Sequence, residues 1–389
     1  MDMREIKTHV FLSPNRILFG IDAVKGVAAE AKQLGGKKVL IVTDPGVAEA
    51  GLVEAIKGPL ESDGIAFSLY DQVEPEPSAR IVDQCTQYLK DENCDLIIGV
   101  GGGSSLDVAK GASIMATNEG NILDYSGIDV VPKRGLPKIL IPTTAGTGSE
   151  VTRVLVVTDE ASNIKKAVYS NHVLSDVAIV DPMMTLSMPP KVTADTGIDA
   201  LVHAIETYVS LNATPFSDIL AVEAITLIAE NVTMAFAKGE NVEARYDMSL
   251  AATISGLAFS SGGLGAVHAL SNPLGIEYHL PHGRTNAIML PHVMTFNLIG
   301  NPTKFAWIAE AMGEAVEGLS PMEAGSLAVE AVKELLNQLK ISIRLRDYDI
   351  PQKDIPKLVE GAMKVSRLFV PNPRNLTHED VEEIFRMAW

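Results

Sequence analysis

The sequence predicts two parts of different class: an α/β domain built on a parallel sheet over residues 1–187, and an all-helical domain over residues 188–389. Three observations carry this. The first half alternates short β-rich runs with helical patterns. Those runs are almost continuously apolar, as strands covered on both faces must be. After Pro189-Pro190 the texture changes to long helical periodicities with almost no strand signal. A chain of 389 residues also suits two domains at about 100–200 residues each.

Taken in order, the predicted strands are Val39 to Val42, Ala66 to Tyr70, Leu96 to Val100 and Ile139 to Ile141, with helices between them near 22–34, 47–62, 78–91 and 104–117. Val154 to Thr158, a polar turn Asp159 to Asn163, and Lys165 to Tyr169 read as an antiparallel hairpin. Val177 to Val180 reads as the last strand. In the second half, Ser320-Pro321-Met322-Glu323 is a capping box with proline at the first helical position, and Thr377 to Asp380 opens a helix the same way.

Composition narrows the function. The net charge is −17, which argues against a nucleic-acid partner. It does not exclude an anionic ligand, because backbone N–H groups and helix N-termini bind anions without basic side chains. The two cysteines, Cys85 and Cys94, form no C-x-x-C pair and suit a reducing compartment. The start, Met1 to Glu5, has no apolar signal core, and no uninterrupted apolar stretch approaches the roughly 18 residues of a spanning helix. The expectation is a cytoplasmic protein with no membrane partner.

Two loops carry ligand chemistry. Gly99-Val100-Gly101-Gly102-Gly103-Ser104-Ser105 follows an apolar strand and opens a helix. A tight turn alone would use one or two glycines; four in five positions suit close approach of a pyrophosphate to a helix N-terminus. The second loop, Pro142 to Glu150, puts four hydroxyls and two glycines directly after a strand, suited to phosphate, ribose or carboxamide groups. Two such loops after parallel strands share one edge of the sheet, where open α/β sheets bind ligands. Asp44 ends the strand Val39 to Val42 and is placed either to accept ribose hydroxyls and repel a 2′-phosphate, or to cap a helix. The acid precedes the glycines, so the usual dinucleotide fingerprint, with glycines first, is absent.

The third feature is a constellation. Asp199 and His203 stand four apart on one helix face, and four of the eight histidines, His268, His279, His282 and His292, fall in one later window. A single histidine here is more often a packed or capping imidazole. One carboxylate with three imidazoles suits Fe(II) or Zn(II).

Together these motifs resemble the iron-dependent, group III alcohol dehydrogenase family. The resemblance spans nearly the whole chain. It rests on the runs at 101–110, 142–150 and 197–206, on His-Ala-Leu-Ser at 268–271, and on Pro-His-Gly with Asn-Ala-Ile at 281–288. It implies a dinucleotide-binding α/β domain and a helical domain in a dehydroquinate synthase-like architecture, with the active site in the cleft between them. It implies metal ligands Asp199, His203, His268 and His282, and cofactor contacts at Asp44, Gly101, Gly102, Gly103, Ser104, Thr143, Thr144, Thr147 and Lys165. NAD is implied over NADP by Asp44, and Fe(II), alternatively Zn(II), as the metal. A homodimer or larger homo-oligomer is also implied.

Two positions depart from the family pattern. Asn272 stands where a titrating histidine is frequent, leaving water, a ribose hydroxyl or His279 to move a proton. Glu76, in Pro75-Glu76-Pro77, stands where asparagine is frequent.

The expected reaction is reversible oxidation of a small alcohol or diol to its aldehyde or ketone. The metal acts as a Lewis acid on the substrate oxygen, and hydride passes from the alkoxide to nicotinamide. Three rivals remain at this point: a related enzyme of the same architecture with a Zn site of fewer histidines, a metal-dependent hydrolase whose glycine loop holds a substrate phosphate, and a non-catalytic nucleotide sensor. Binding of NADH separates the hydrolase from the rest.

Overall fold

The computed structural model describes residues 8–162 and 164–389; Asn163 of the hairpin turn and the Met1 to Glu5 start lie outside the described residues. The chain divides into two compact units, one of Leu12–Met188 and one containing Pro189–Trp389. Phe11 belongs to the second unit, and its ring lies 5.5 Å from that of Phe216.

The first unit has strands β1 (Arg16–Phe19), β2 (Lys38–Val42), β3 (Ala66–Tyr70), β4 (Leu96–Gly101), β5 (Gly127–Ile128), β6 (Lys138–Pro142), β7 (Val154–Asp159), β8 (Ile164–Tyr169) and β9 (Val177–Val180). Its helices are α1 (Val27–Gln33), α2 (Pro45–Glu49), α3 (Glu54–Ser62), α4 (Ala79–Asp91) and α5 (Gly103–Met115). Six strands form one parallel sheet in the order β1-β9-β6-β4-β2-β3. Alternate residues of each strand feed two separate cores. Leu40, Val42, Ile97 and Leu140 pack with Ile81, Val82, Cys85 and Ala109. Val39, Ile41, Ile98 and Ile141 pack with Val27, Ala31, Ile56 and Leu60 on the other face. Helices on both faces are why the strands carry no polar alternation.

The hairpin β7–β8 is antiparallel, as expected, and β5 joins β8 to make a separate three-stranded sheet. Two strands go beyond the sequence expectation. β1 has four residues on a sheet edge, and β5 has two, too few for either to show a period. The helix expected over 47–62 breaks into α2 and α3. Gly51, with φ of +74°, turns the chain between them.

The second unit is all helical among its described residues: α6 (Pro190–Val209), α7 (Pro215–Ala237), α8 (Val242–Gly262), α9 (Ala266–Tyr278), α10 (His282–Asn297), α11 (Pro302–Ala311), α12 (Pro321–Gln338), α13 (Ile355–Met363) and α14 (His378–Ala388), with short 3₁₀ turns between some of them. Both expected capping boxes form, Ser320 with Glu323 on α12 and Thr377 with Asp380 on α14. By length and composition α7 is apolar enough to cross a membrane. It also packs against α6 and α8, burying Ala221, Ala224, Ile225, Ile228 and Val232.

Candidate functional site

In the helical unit, α6 presents Asp199, His203 and Glu206 at i, i+4 and i+7, one buried stripe of a single helix. His268 lies in the first turn of α9, and His282 is the first residue of α10. The start of α10 can reach α6 because residue 283 is glycine: a Cβ there would lie 2.1 Å from the carbonyl oxygen of Asp195. Arg284 Nε then donates to Asp195 Oδ1 at 2.6 Å and pins the two helices one turn before Asp199. Burial raises the Asp195 carboxyl, and Arg284 opposes that rise.

Ligand atoms of Asp199, His268 and His282 all lie within 4.8 Å of one another. His203 Nε2 and His282 Nε2 are each 3.8 Å from Asp199 Oδ1. The rings of His203 and His268 stack at 5.0 Å between centroids. Burial resists ionisation of Asp199, but the imidazoles of His203, His282 and His268 and the amide of Asn286 outweigh it and hold its carboxyl below the usual range.

Two residues without an assigned role stand beside these four. Glu206 accepts from His268 Nδ1 at 2.6 Å, from Gly265 N at 2.9 Å and from Val267 N at 2.5 Å. The Asn286 amide nitrogen lies 2.7 Å from Asp199 Oδ1 and 3.2 Å from both His268 Nε2 and His282 Nε2. Its own Oδ1 is buried with no hydrogen-bond partner. Three acceptors thus converge on one buried N–H group, the arrangement a cation needs. The donor set of one carboxylate and imidazole nitrogens fits a divalent transition metal.

Three other histidines are not among these converging ligand atoms. His292 Nε2 lies 2.9 Å from the Ile343 carbonyl, and burial lowers its pKa, so the ring is a neutral core group. His378 pairs with Glu360 on the surface. His279 is exposed at the end of α9, with φ of +53°. Asn272 lies on α9 one turn after His268.

In the sheet unit, β2, β4 and β6 are neighbours, so Asp44, the glycine loop and the hydroxyl loop leave one edge together. Gly101 has φ of +146°, and a Cβ there would meet Ser105 Oγ at 2.6 Å and Asp44 Oδ2 at 3.1 Å. A Cβ on Gly103 would meet Thr147 at 2.9 Å, and Gly102 faces Thr144. Thr143 N donates to the Gly101 carbonyl at 3.0 Å. No side chain caps the N-terminus of α5, and Thr144 Oγ1 is buried without a partner. Unclaimed helix N–H groups, a bare glycine surface and an unpaired hydroxyl fit a pyrophosphate-containing ligand.

Asp44 caps a helix, one of the two roles expected of it. Its Oδ1 accepts from Val47 N at 3.0 Å and caps α2, and its Oδ2 accepts from Ser105 Oγ at 2.9 Å. Lone pairs remain on each oxygen for a ribose. Lys165 lies not among the glycines but 2.6 Å from Glu76 Oε1. Glu76 N donates to Ser104 Oγ at 3.3 Å, which links the hairpin to the glycine loop. Lys110 and Asp107, both on α5, brace the hydroxyl loop and the start of β7 from within. Lys110 Nζ donates to Ser149 Oγ and the Val154 carbonyl, and Asp107 accepts from Ser149 Oγ and Val156 N. Burial works against both charges, raising Asp107 and lowering Lys110.

Comparison with known proteins agrees across the chain. Residues 14–182 match the model for iron-containing alcohol dehydrogenase, and residues 193–389 match the C-terminal model of the Fe-containing alcohol dehydrogenase family. The chain is 42% identical to 1,3-propanediol dehydrogenase of Citrobacter freundii over 381 residues, 97% of this chain and 98% of that protein. It is 39% identical to the NAD-dependent methanol dehydrogenase of Bacillus methanolicus, over 98% of this chain and all of that one. Among solved structures, a 1,3-propanediol oxidoreductase superposes with a TM-score of 0.96 at 41% identity, covering 98% of this chain and 100% of that one.

Proposed function

The chain belongs to the iron-containing alcohol dehydrogenase family, and from that premise we propose its substrate class, its metal and the residues that hold each ligand. As a member it is an NAD-dependent, metal-containing oxidoreductase that interconverts alcohols and aldehydes. In our reading the substrate is a small primary alcohol or diol, a choice supported by the propanediol and methanol dehydrogenases among its relatives. The metal is Fe(II), supported by the family description, with Zn(II) able to take the same donors.

Asp199, His203, His268 and His282 hold the metal; the convergence of a carboxylate and imidazoles on one buried point carries this reading. Bound there, Fe(II) supplies a Lewis acid for the alcohol oxygen. The chain's own residues do the rest. The N–H groups at the start of α5, the glycine surface of Gly101, Gly102 and Gly103, and the hydroxyls of Ser104, Thr143, Thr144 and Thr147 bind the NAD pyrophosphate and neighbouring groups. Asp44 accepts from the adenosine ribose and disfavours a 2′-phosphate, and Lys165 approaches the cofactor from the hairpin. Asn272 cannot titrate, so the alcohol proton leaves through water, a ribose hydroxyl or His279. We read the protein as a homo-oligomer of the cytoplasm. The family resemblance supports the first, and two free, buried cysteines support a reducing compartment.

The test is to strip the protein, load it anaerobically with Fe(II) or Zn(II), and follow NADH absorbance against primary alcohols, diols and aldehydes. Turnover is expected with short substrates and with Fe(II) above Zn(II). No turnover with any substrate under either metal would overturn the assignment.

A further inference from the structure

Glu206 is not a ligand in the reading above, yet it is the most heavily engaged buried carboxylate beside the ligands. Three N–H groups converge on its two oxygens, and all three come from the start of α9: Gly265 N, Val267 N and His268 Nδ1. Helix α9 has no cap of its own, since its N-cap residue is Gly265. A side chain of α6 therefore satisfies the N-terminal N–H groups of α9 from outside. The same carboxylate accepts only, so the imidazole nitrogen facing it carries the proton. His268 is then the Nδ1–H tautomer, with the Nε2 lone pair turned away from Glu206. Nε2 indeed receives the Asn286 amide, as Asp199 and His282 do.

We propose that Glu206 is a positioning residue for the metal: by capping α9 and holding the Nδ1 proton of His268, it aims His268 Nε2 at the point shared with Asp199 and His282. This rests on the reading of His268 as a metal ligand. A carboxylate behind a ligating imidazole fixes its ring and tautomer and raises its basicity, and loss of such a partner typically weakens metal binding by about 10–100-fold. Glutamine cannot replace it. An amide offers one acceptor oxygen where the carboxylate offers two, so its NH₂ must face either Val267 N–H or the Gly265 and His268 pair. In the second orientation it donates to His268 Nδ1 and moves the ring proton to Nε2, where a metal cannot bind.

The experiment compares the full-length wild type with E206Q, E206D and H268A. Co(II) affinity is measured by competition with a chelator, and the Co(II) visible spectrum reports the donor set. We expect H268A to lose tight binding. E206Q should bind about 10–100-fold more weakly with an altered spectrum, and E206D, which keeps a carboxylate, should fall between E206Q and wild type. Wild-type affinity and spectrum in a folded E206Q, with H268A still defective, would reduce Glu206 to a helix cap and overturn the proposal. Wild-type binding by H268A would overturn the ligand reading itself. NADH binding, seen by fluorescence, checks that each variant is folded.

Discussion

Lys138 starts β6 with its ammonium wholly buried and donates to the His172 carbonyl at 2.9 Å. Burial first, then the charges of Arg134 and Lys110, push its pKa from 10.5 down to about 7. The sign follows from proton counts. Between pH 7 and 10.5 the unfolded chain binds more protons at this site than the folded one, so stability rises with pH across that window. Below it both states are charged and the burial penalty applies in full. Lys138→Met removes the penalty but leaves the His172 carbonyl unpaired, at about 1–3 kcal/mol. The variant should therefore melt above wild type near pH 6.5, with the advantage shrinking or reversing near pH 10. An offset that is the same at both pH values would show that the ammonium is not desolvated as described.

At the scale of elements, α2 is short and depends on the residue that caps it. Asp44 caps it and also holds Ser105 at the start of α5, so one side chain couples two strand-to-helix junctions. Asp44→Ala should therefore do two things: lower stability by about 1 kcal/mol through the lost cap, and improve NADP use relative to NAD. Asp44→Ser retains a capping oxygen without the charge. It should shift cofactor preference as strongly while leaving the melting temperature near wild type. Unchanged preference in both variants would remove Asp44 from the cofactor site. The elements legible in the sequence were those whose residues carry their own signal. β2, β3, β4 and β6 are apolar runs, and α12 and α14 begin with capping boxes. β1 and β5 are defined by their partners β9 and β8, and four or two residues show no period of their own. The same distinction divides the site. Asp199 and His203 announce themselves by spacing on one helix. Glu206 lies in the same run, but its function depends on Gly265, Val267 and His268, some 60 residues away. Asn286 and the Glu76–Lys165 pair are likewise created by tertiary contact.

Across the whole molecule, the charge of −17 and an anionic cofactor set up an opposition that salt can expose. A phosphate site lined with lysines weakens as salt rises, because its attraction is screened. Here the assigned binding groups are amides, hydroxyls and a helix N-terminus, and the one assigned lysine, Lys165, is already paired with Glu76. In the proposed site, the long-range field of the molecule repels NADH while the local dipoles would bind it at contact distance. Going from about 10 mM to about 150 mM salt shortens the screening length from about 30 Å to about 8 Å. That change removes most of the distant repulsion and leaves contacts with backbone groups largely intact. NADH affinity, measured by fluorescence titration, should stay flat or tighten over this range. Glu76→Gln frees Lys165 to act as an unpaired cation, and its NADH binding should weaken with salt where that of the wild type does not. A marked weakening already in the wild type would mean that basic side chains, not the glycine and hydroxyl loops, provide the attraction.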